Sequence, residues 1–451
     1  MNEAFLDLPA HLRALLAQGR PLTAHQVQRA TGKSQPSISL ALAKLGSEVC
    51  KLGAARSTRY ALTQPILGLP AQQTLTWTAP DGFMQTFGSL YFLQGGQVYV
   101  RTPQGADWLS PPGQLPWFLQ TLRPQGFLGR QLTRLRPDFP ADPDNWSTEQ
   151  VLYMAINHAG DPPGALHAGD TRGPNMRQGA PEAPWALPDR AAYFDTLARA
   201  VNETLPATSS AGGEQPKFIT EANEPGGQHK HLIVKFSPPR GTPFGERWHE
   251  LLQLEHLALS VLAENGIPTP SSRILQSGVR TYLESERFDR LGREGKRHVV
   301  DASAVHGAFV KSPRRHWVAT CEALRQQKTL ASEHLKTVAS VYLFGQYIGN
   351  TDMHFGNLSF FVDDVTKPAF IPTPVYDMLP MMWRPGIHDG SLDVSPVRAQ
   401  PQPAGYEAQA AQARAWAAQF WDRAAQLPDL SAPLRQASVV SAIRLKSNFS
   451  E

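Results

Sequence analysis

Between Gly349 and Asp377 the chain reads GNTDMHFGNLSFFVDDVTKPAFIPTPVYD. Asp352, His354 and Asn357 fall within six residues, and Asp377 closes the stretch. Two apolar runs, LSFFV and AFIPTPVY, flank a polar turn at Asp363 and Asp364. Apolar runs around an Asp-rich turn predict a β-hairpin. A hairpin folds back, so Asn357 and Asp377 are expected side by side, with Asp352 one loop away. Three such oxygen-bearing side chains suit Mg²⁺ with a nucleotide, since Mg²⁺ takes a few carboxylate or amide oxygens together with phosphate. The chemistry this predicts is phosphoryl transfer, with Asp352 orienting a hydroxyl and Asn357 and Asp377 holding metal. No second His or Cys lies at ligand spacing from His354, so no zinc role is expected for it.

Those residues need elements to position them. EHLKTVASVYLFGQYI, residues 333–348, has a helical apolar stripe that delivers the chain to Asn350. Upstream, HLIVKFS alternates as a strand and carries Lys235. An ammonium inside an apolar strand needs a partner, because an unpaired buried charge is costly. The next helix, ERWHELLQLEHLALSVLAENG, offers Glu250 and Glu255, and Gly266 with Pro268 stops it. Before the Lys235 strand lies a small-residue loop with Ser209, Ser210, Gly212 and Gly213. Backbone N–H groups in such a loop can cradle phosphates. EANEPGGQHK reads as a polar hairpin tip, and YLESERFDR, residues 282–290, as a strand linking two lobes. Each of these residues alone has an ordinary reading as a turn former, helix cap or edge residue. Their joint order favours the catalytic one.

The 451 residues allow two or three domains, and 41% hydrophobic with 18% charged content describes a globular chain. Two cysteines, Cys50 and Cys321, exclude a disulfide framework and suit the cytoplasm. No apolar run reaches the roughly 18 residues of a membrane span, so no membrane partner is expected. The net charge of +4 is concentrated in residues 1–65, where eight Lys and Arg face three acids. A basic head on a near-neutral body predicts a polyanion partner for the head. Its helical spacings (Leu6 to Leu16, then AHQVQRATG capped by Thr23, then QPSISLALAKLG capped by Ser34) predict a helix-turn-helix. Ile38, Leu42 and Leu45 face the core, whereas Ser34, Gln35, Ser37 and Ser39 sit where side chains reach base edges. VCKLGAARSTRYALT predicts two short strands around a basic turn, a wing whose Arg56 and Arg59 contact phosphates. Residues 83–109 predict strands of a small sheet, and 167–188 a flexible linker.

SSAGGEQPKF, LIVKF, ERFDR, NTDMHFGN and YDMLP, in that order, resemble the HipA family of bacterial serine/threonine kinases, toxins of type II toxin–antitoxin modules. LPWFLQTLRPQG and GDPPGAL resemble that family's N-terminal region, so the likeness spans about residues 83 to 445. It implies that Lys235 binds ATP phosphates, that Gly212 to Lys217, with Gly213 and Gln215, forms the phosphate loop, and that Glu286 and Phe288 form the adenine hinge. It further implies Asp352 as catalytic aspartate, Asn357 and Asp377 as Mg²⁺ ligands, and His354 in the cofactor loop. Family members can autophosphorylate a serine before the phosphate loop; here that is Ser209 or Ser210. The family usually employs a separate DNA-binding antitoxin, whereas this chain carries its own basic head and resembles the subgroup with a fused helix-turn-helix.

The expected fold is α+β, an N-terminal winged helix-turn-helix followed by a two-lobed protein-kinase-like HipA fold. The expected boundaries are 1–65 for the DNA-binding head, 66–188 for the N-terminal subdomain and linker, 189–300 for the N-lobe and 301–451 for the C-lobe. The expected function is a cytoplasmic ATP- and Mg²⁺-dependent serine/threonine protein kinase acting on a protein substrate. It binds DNA through its head, as a homodimer matching a symmetric site. The alternatives are a small-molecule phosphotransferase, since the Asp-x-His-x-x-Asn spacing also occurs in those enzymes, and a regulator whose kinase fold only senses nucleotide.

Overall fold

The structure, a computed structural model, describes residues 7–158, 161–170, 181–203, 215–386, 391–398 and 404–447. It is of the α+β class. The chain divides into two units, Met1–Ala79 with Phe83–Gln125 and Leu132–Gln178, and Pro80–Gly82 with Gly126–Gln131 and Gly179–Glu451.

The first unit opens with α1 (Leu8–Leu16), β1 (Leu22–Thr23), α2 (Ala24–Thr31), α3 (Gln35–Leu45), β2 (Val49–Leu52) and β3 (Arg59–Leu62), the strands ordered β1-β3-β2. Leu12, Leu16, Val27, Ile38, Leu42 and Leu45 form its buried core. Thr23 and Gln26 make a reciprocal capping box that starts α2, and Gly32 ends it in the left-handed region at φ 66°. Ser34 stands at the N-cap position of α3, but it does not cap as expected. Its Oγ meets Ser37 Oγ at 2.9 Å, and no backbone N–H takes it.

A five-stranded antiparallel sheet follows, built from β4 (Gln72–Thr78), β5 (Met84–Leu93), β6 (Gln97–Arg101), β7 (Asp107–Leu109) and β8 (Leu166–Ala168) in the order β7-β6-β5-β4-β8. Of the helices between β7 and β8, α4 (Gly126–Gln131) belongs to the second unit and α5 (Thr148–Asn157) to the first. The hairpin β2–β3 packs on this sheet through Cys50, Leu52, Ala61, Leu93 and Tyr99. Tyr99 Oη accepts from Gly53 N and donates to Asp107 Oδ2, each at 3.1 Å. The stretch 167–188 is therefore not wholly linker. His167 and Ala168 are buried in β8, and β9 (Glu182–Ala183) pairs parallel with a strand of the second unit.

That unit continues with α6 (Leu187–Glu203), β10 (Lys217–Asn223), β11 (His229–Phe236), α7 (Pro243–Glu264), β12 (Ser272–Gln276) and β13 (Thr281–Glu286), in the sheet order β12-β13-β11-β10-β9. Strand alternation sorts β11 into two faces. Leu232, Val234 and Phe236 enter a core with Phe194 and Ala198 of α6. Lys235 faces the other way, toward Glu255 of α7. Next come β14 (Arg290–Leu291), β15 (Gly295–Lys296), β16 (Val299–Asp301), α8 (Ala302–Val305), α9 (Trp317–Gln326), α10 (Ser332–Tyr347), β17 (Ser359–Phe361), β18 (Ile371–Pro372), α11 (Glu407–Ala424) and α12 (Ala432–Lys446). The expected hairpin is β17–β18, with Phe361 opposite Ile371, and β16 adds a third strand on its other side. Trp421 of α11 packs edge-on against Trp383 and donates to Tyr347 O at the end of α10, which anchors the loop that leaves that helix. Among the described residues, no helix is long and apolar enough to cross a membrane.

Candidate active site

Helix α10 ends at Tyr347, and Gly349 turns the chain at φ 74°, where a side chain would also strike Met382. A left-handed glycine here lets the chain reverse sharply into the Asn350–Asn357 loop. Asn350, almost fully buried, accepts from Asp352 N at 3.0 Å through Oδ1 and donates Nδ2 to Asp377 O at 3.1 Å. One side chain thus sets the spacing between two loops. Asn357 donates Nδ2 to Asp352 O at 2.8 Å, which turns its Oδ1 to other use. His354 Nδ1 accepts from Gly356 N at 2.9 Å, and its Nε2 lies 3.6 Å from Asp352 Oδ1. His354 therefore shapes the loop and faces the Asp352 carboxylate, which is itself about two-fifths exposed.

On the facing elements, Lys235 Nζ donates to Glu255 Oε1 at 2.5 Å and to Asp377 Oδ1. Of the two glutamates expected to compete for it, Glu255 takes the lysine. Glu250 instead pairs with Arg247 at 3.2 Å and accepts from Ser431 N. Burial works against charge on Lys235, but Asp377 and Glu255 outweigh it and raise its pKa. Burial likewise opposes ionisation of Asp377, yet Lys235 and Lys217 hold its carboxyl down to about 2. Burial pushes the Glu255 carboxyl up, against the pull of Lys235. Lys217 stands directly opposite Lys235 in the β10–β11 register, so two cations flank Asp377. Asp377 adopts φ 53°, a left-handed conformation uncommon for non-glycine residues, though aspartate enters it more readily than most. Strained backbone of this kind clusters at functional sites.

Asp377, held ionised, and the Asn357 amide oxygen are hard oxygen donors, and that donor set fits Mg²⁺. At the end of β13, the Glu286 and Arg287 N–H groups are bonded to Ser271 O and His231 O at 2.9 and 2.8 Å. The Glu286 carboxylate pairs with Lys230 at 3.1 Å. The Phe288 ring lies between Tyr376, 5.7 Å away, and Phe361, 5.9 Å away. Gln215 Nε2 donates to Phe236 O at 2.6 Å and ties the start of β10 to the end of β11. Beside Asp352, an open cavity of about 370 Å³ is lined by Tyr342, Gln346, Asn350, Thr351, Met353 and His354.

Lys235, Asp352, His354, Asn357 and Asp377 are thus brought together, with Lys217 beside them. Ser209, Ser210, Gly212 and Gly213 lie outside the described residues. Asn350 was missed by sequence reasoning, although an asparagine directly after a helix-ending glycine is a signal for a loop-pinning role. In the head, Ser34, Ser37, Ser39 and Arg59 are exposed, and Gln35 is half-buried with Nε2 3.4 Å from Ser39 Oγ. Arg56 lies in the 3₁₀ turn Ala55–Ser57 between the two strands.

Residues 209–438 match the HipA-like C-terminal domain, and residues 69–175 match the middle domain of YjjJ-like toxins. The chain is 33% identical over 396 residues to toxin YjjJ of Escherichia coli (strain K12), which covers 85% of this chain and 87% of that protein. Among solved structures, it resembles a chain from the Shewanella oneidensis MR-1 toxin–antitoxin complex of HipA, HipB and operator DNA. That likeness has a TM-score of 0.54 at 17% identity and covers 83% of this chain and 96% of the other.

Proposed function

This chain belongs to the HipA-like toxin family, and on that premise we propose that it is an ATP- and Mg²⁺-dependent serine/threonine protein kinase with a DNA-binding winged helix-turn-helix as its head. The observation that carries the proposal is Lys235 held between Glu255 and Asp377, with Asp352 joined to Asp377 through Asn350. ATP is the phosphoryl donor; Asn357 and Asp377 would hold Mg²⁺, which would offset charge on the phosphoryl group. Asp352 orients the acceptor hydroxyl and takes its proton as the new O–P bond forms and the bond from the γ-phosphorus to the bridging oxygen breaks, releasing ADP. Lys235 and Lys217 offset the charge of the phosphate oxygens. Gly212, Gly213, Gln215 and Lys217 form the phosphate loop. The Glu286 carbonyl and the Phe288 N–H receive the adenine edge. Ser209 and Ser210 are the candidate autophosphorylation sites. In the head, Ser34, Gln35, Ser37 and Ser39 meet base edges while Arg56 and Arg59 meet phosphates. The operator DNA in the Shewanella complex supports a DNA partner.

The test is intact-mass and peptide mass spectrometry of the full chain after incubation with Mg²⁺ and ATP. The expected result is one added phosphate on Ser209 or Ser210. Asp352→Asn should lose roughly 10²–10⁴ of the rate while still binding nucleotide. Wild-type protein that binds ATP yet never transfers phosphate, to itself or to protein, would sink the proposal and leave a nucleotide sensor.

A further inference from the structure

We propose that Glu221, His229 and His231 form a site for a divalent transition metal of the zinc class, separate from the Asn357–Asp377 site. The three residues lie on one face of the β10–β11 ladder. His229 and His231 are two apart on β11, so their rings project to the same side, and Glu221 stands directly opposite His231. One ligand atom from each falls within 4.8 Å of the others. The rings lie 4.9 Å apart at 80°. Both histidines are buried, and Glu221 is one-fifth exposed.

The outer hydrogen bonds decide what the inner atoms present. Asn223 donates its Nδ2 to Glu182, which leaves Oδ1 facing His229 Nδ1 at 3.0 Å, so Nδ1 carries the proton. Arg293 O is a carbonyl 3.1 Å from His231 Nε2, so that nitrogen carries the proton there. A neutral ring in each case turns a lone pair inward, Nε2 of His229 and Nδ1 of His231. These face the Glu221 carboxylate oxygens at 3.3 and 3.5 Å. The buried His229 Nε2 makes no hydrogen bond among the described residues. Two lone pairs aimed at a carboxylate repel unless a cation sits between them. Two imidazolium ions are a poor solution. Charge-assisted bonds shorten to about 2.7–2.9 Å, and two buried like charges in ring contact repel. A metal ion answers both objections. Two imidazoles and one carboxylate with an open fourth position is a familiar zinc donor set. A second ring nitrogen bonded to a carbonyl or amide oxygen is the usual way such ligands are oriented.

An ion here would cross-link β10 to β11 four positions from Lys235, on the same strand face. It would also hold the turn at Arg293 against that face. The site therefore serves to brace the sheet that presents Lys235.

The test uses the full chain, stripped with chelator and desalted, then titrated with Zn²⁺ alone by calorimetry and with Co²⁺ by visible absorption. The expected result is one equivalent of Zn²⁺, a tetrahedral Co²⁺ spectrum, and a rise in melting temperature on adding Zn²⁺. His229→Asn keeps a donor toward Asn223 but removes the inner nitrogen, and Glu221→Gln removes the carboxylate. Each should weaken Zn²⁺ by at least about 10-fold, while Asp377→Asn should leave it bound. The proposal is overturned if wild-type protein takes up no stoichiometric Zn²⁺ or shows no tetrahedral Co²⁺ spectrum. Variants that bind Zn²⁺ as tightly as wild type would overturn it too.

Discussion

Lys235 and Asp377 lie 142 residues apart in sequence, and an ion pair joins them, with Glu255 on the lysine's other side. One ammonium thus holds two carboxylates that would otherwise repel. Lys235→Met removes that cation from a nearly buried position. Truncating one partner of a buried pair costs about 3–5 kcal/mol, so the urea midpoint should fall clearly. Phosphate incorporation from labelled ATP should drop roughly 10²–10³-fold, as for loss of a charge-stabilising group. The variant's two facing carboxylates should also retain a shared proton more readily than the unfolded chain. Its stability should therefore rise as pH is lowered toward about 5. A variant with wild-type turnover would remove Lys235 from the reaction.

Asn350 touches neither acceptor nor phosphate in the proposed reaction, yet it couples Asp352 N to Asp377 O. Asn350→Ala leaves both backbone groups without their side-chain partner, at about 1–3 kcal/mol. The Asp352 loop then loses its spacing from the Asp377 loop. Misplacement by about 1 Å can lower kcat about 10²-fold, whereas KM for ATP should change little, because Lys235 and the proposed adenine contacts are intact. Steady-state kinetics separate the two quantities. A rise in KM with unchanged kcat would show that Asn350 serves nucleotide binding instead.

Much of this site was legible because its residues sit at the ends of strongly patterned elements. The β17–β18 hairpin brings Asn357 and Asp377 back together, and the apolar stripe of α10 aims the chain at Asp352. The choice between Glu250 and Glu255 was not legible. Five positions along a helix point to different faces, and only the docking of α7 on the sheet decides which meets Lys235. Strands of two or three residues, such as β1, β8 and β9, are too short to show a period, so part of the stretch 167–188 read as linker. In the sequence, His229 belongs to a polar hairpin tip and His231 opens the strand that carries Lys235. Their meaning depends on Glu221 across the ladder, a register that only pairing reveals. Ser34 had the residue type of a cap, but a neighbouring Ser37 competes for its hydroxyl.

Asp377 makes a pH prediction with a definite sign. Its carboxyl is held down from 3.8 to about 2, burial opposing and Lys235 and Lys217 prevailing. The folded chain therefore binds this proton less readily than the unfolded chain. The resulting stability is fully present above pH 3.8 and is lost as pH falls through about 2. Urea unfolding of wild type and Asp377→Asn across that window should show wild type losing its advantage toward the acid end. Within the same reading, Asp377 contributes no acid limb to the rate at pH values above its ordinary range. A constant stability difference down to pH about 2 would mean that the Lys235 contact does not persist in solution.

Arg59 is exposed at the start of β3 and pairs with Leu52 across the proposed wing, while β2 and β3 are fixed to the neighbouring sheet through Leu52 and Tyr99. A wing held this way presents its charge with little loss of order on binding. Each phosphate contact releases counterions and adds about 0.9 to the slope of log affinity against log salt. Arg59→Ala should therefore weaken duplex DNA binding at low salt and reduce that slope by about 1, equally for all sequences. Ser39→Ala, in the proposed recognition helix, should instead alter preference among sequences and leave the slope unchanged. Fluorescence anisotropy on labelled duplexes across a salt series measures both. An unchanged slope for Arg59→Ala would exclude this arginine from phosphate contact, and a head with no salt-dependent DNA affinity at all would remove DNA as its partner.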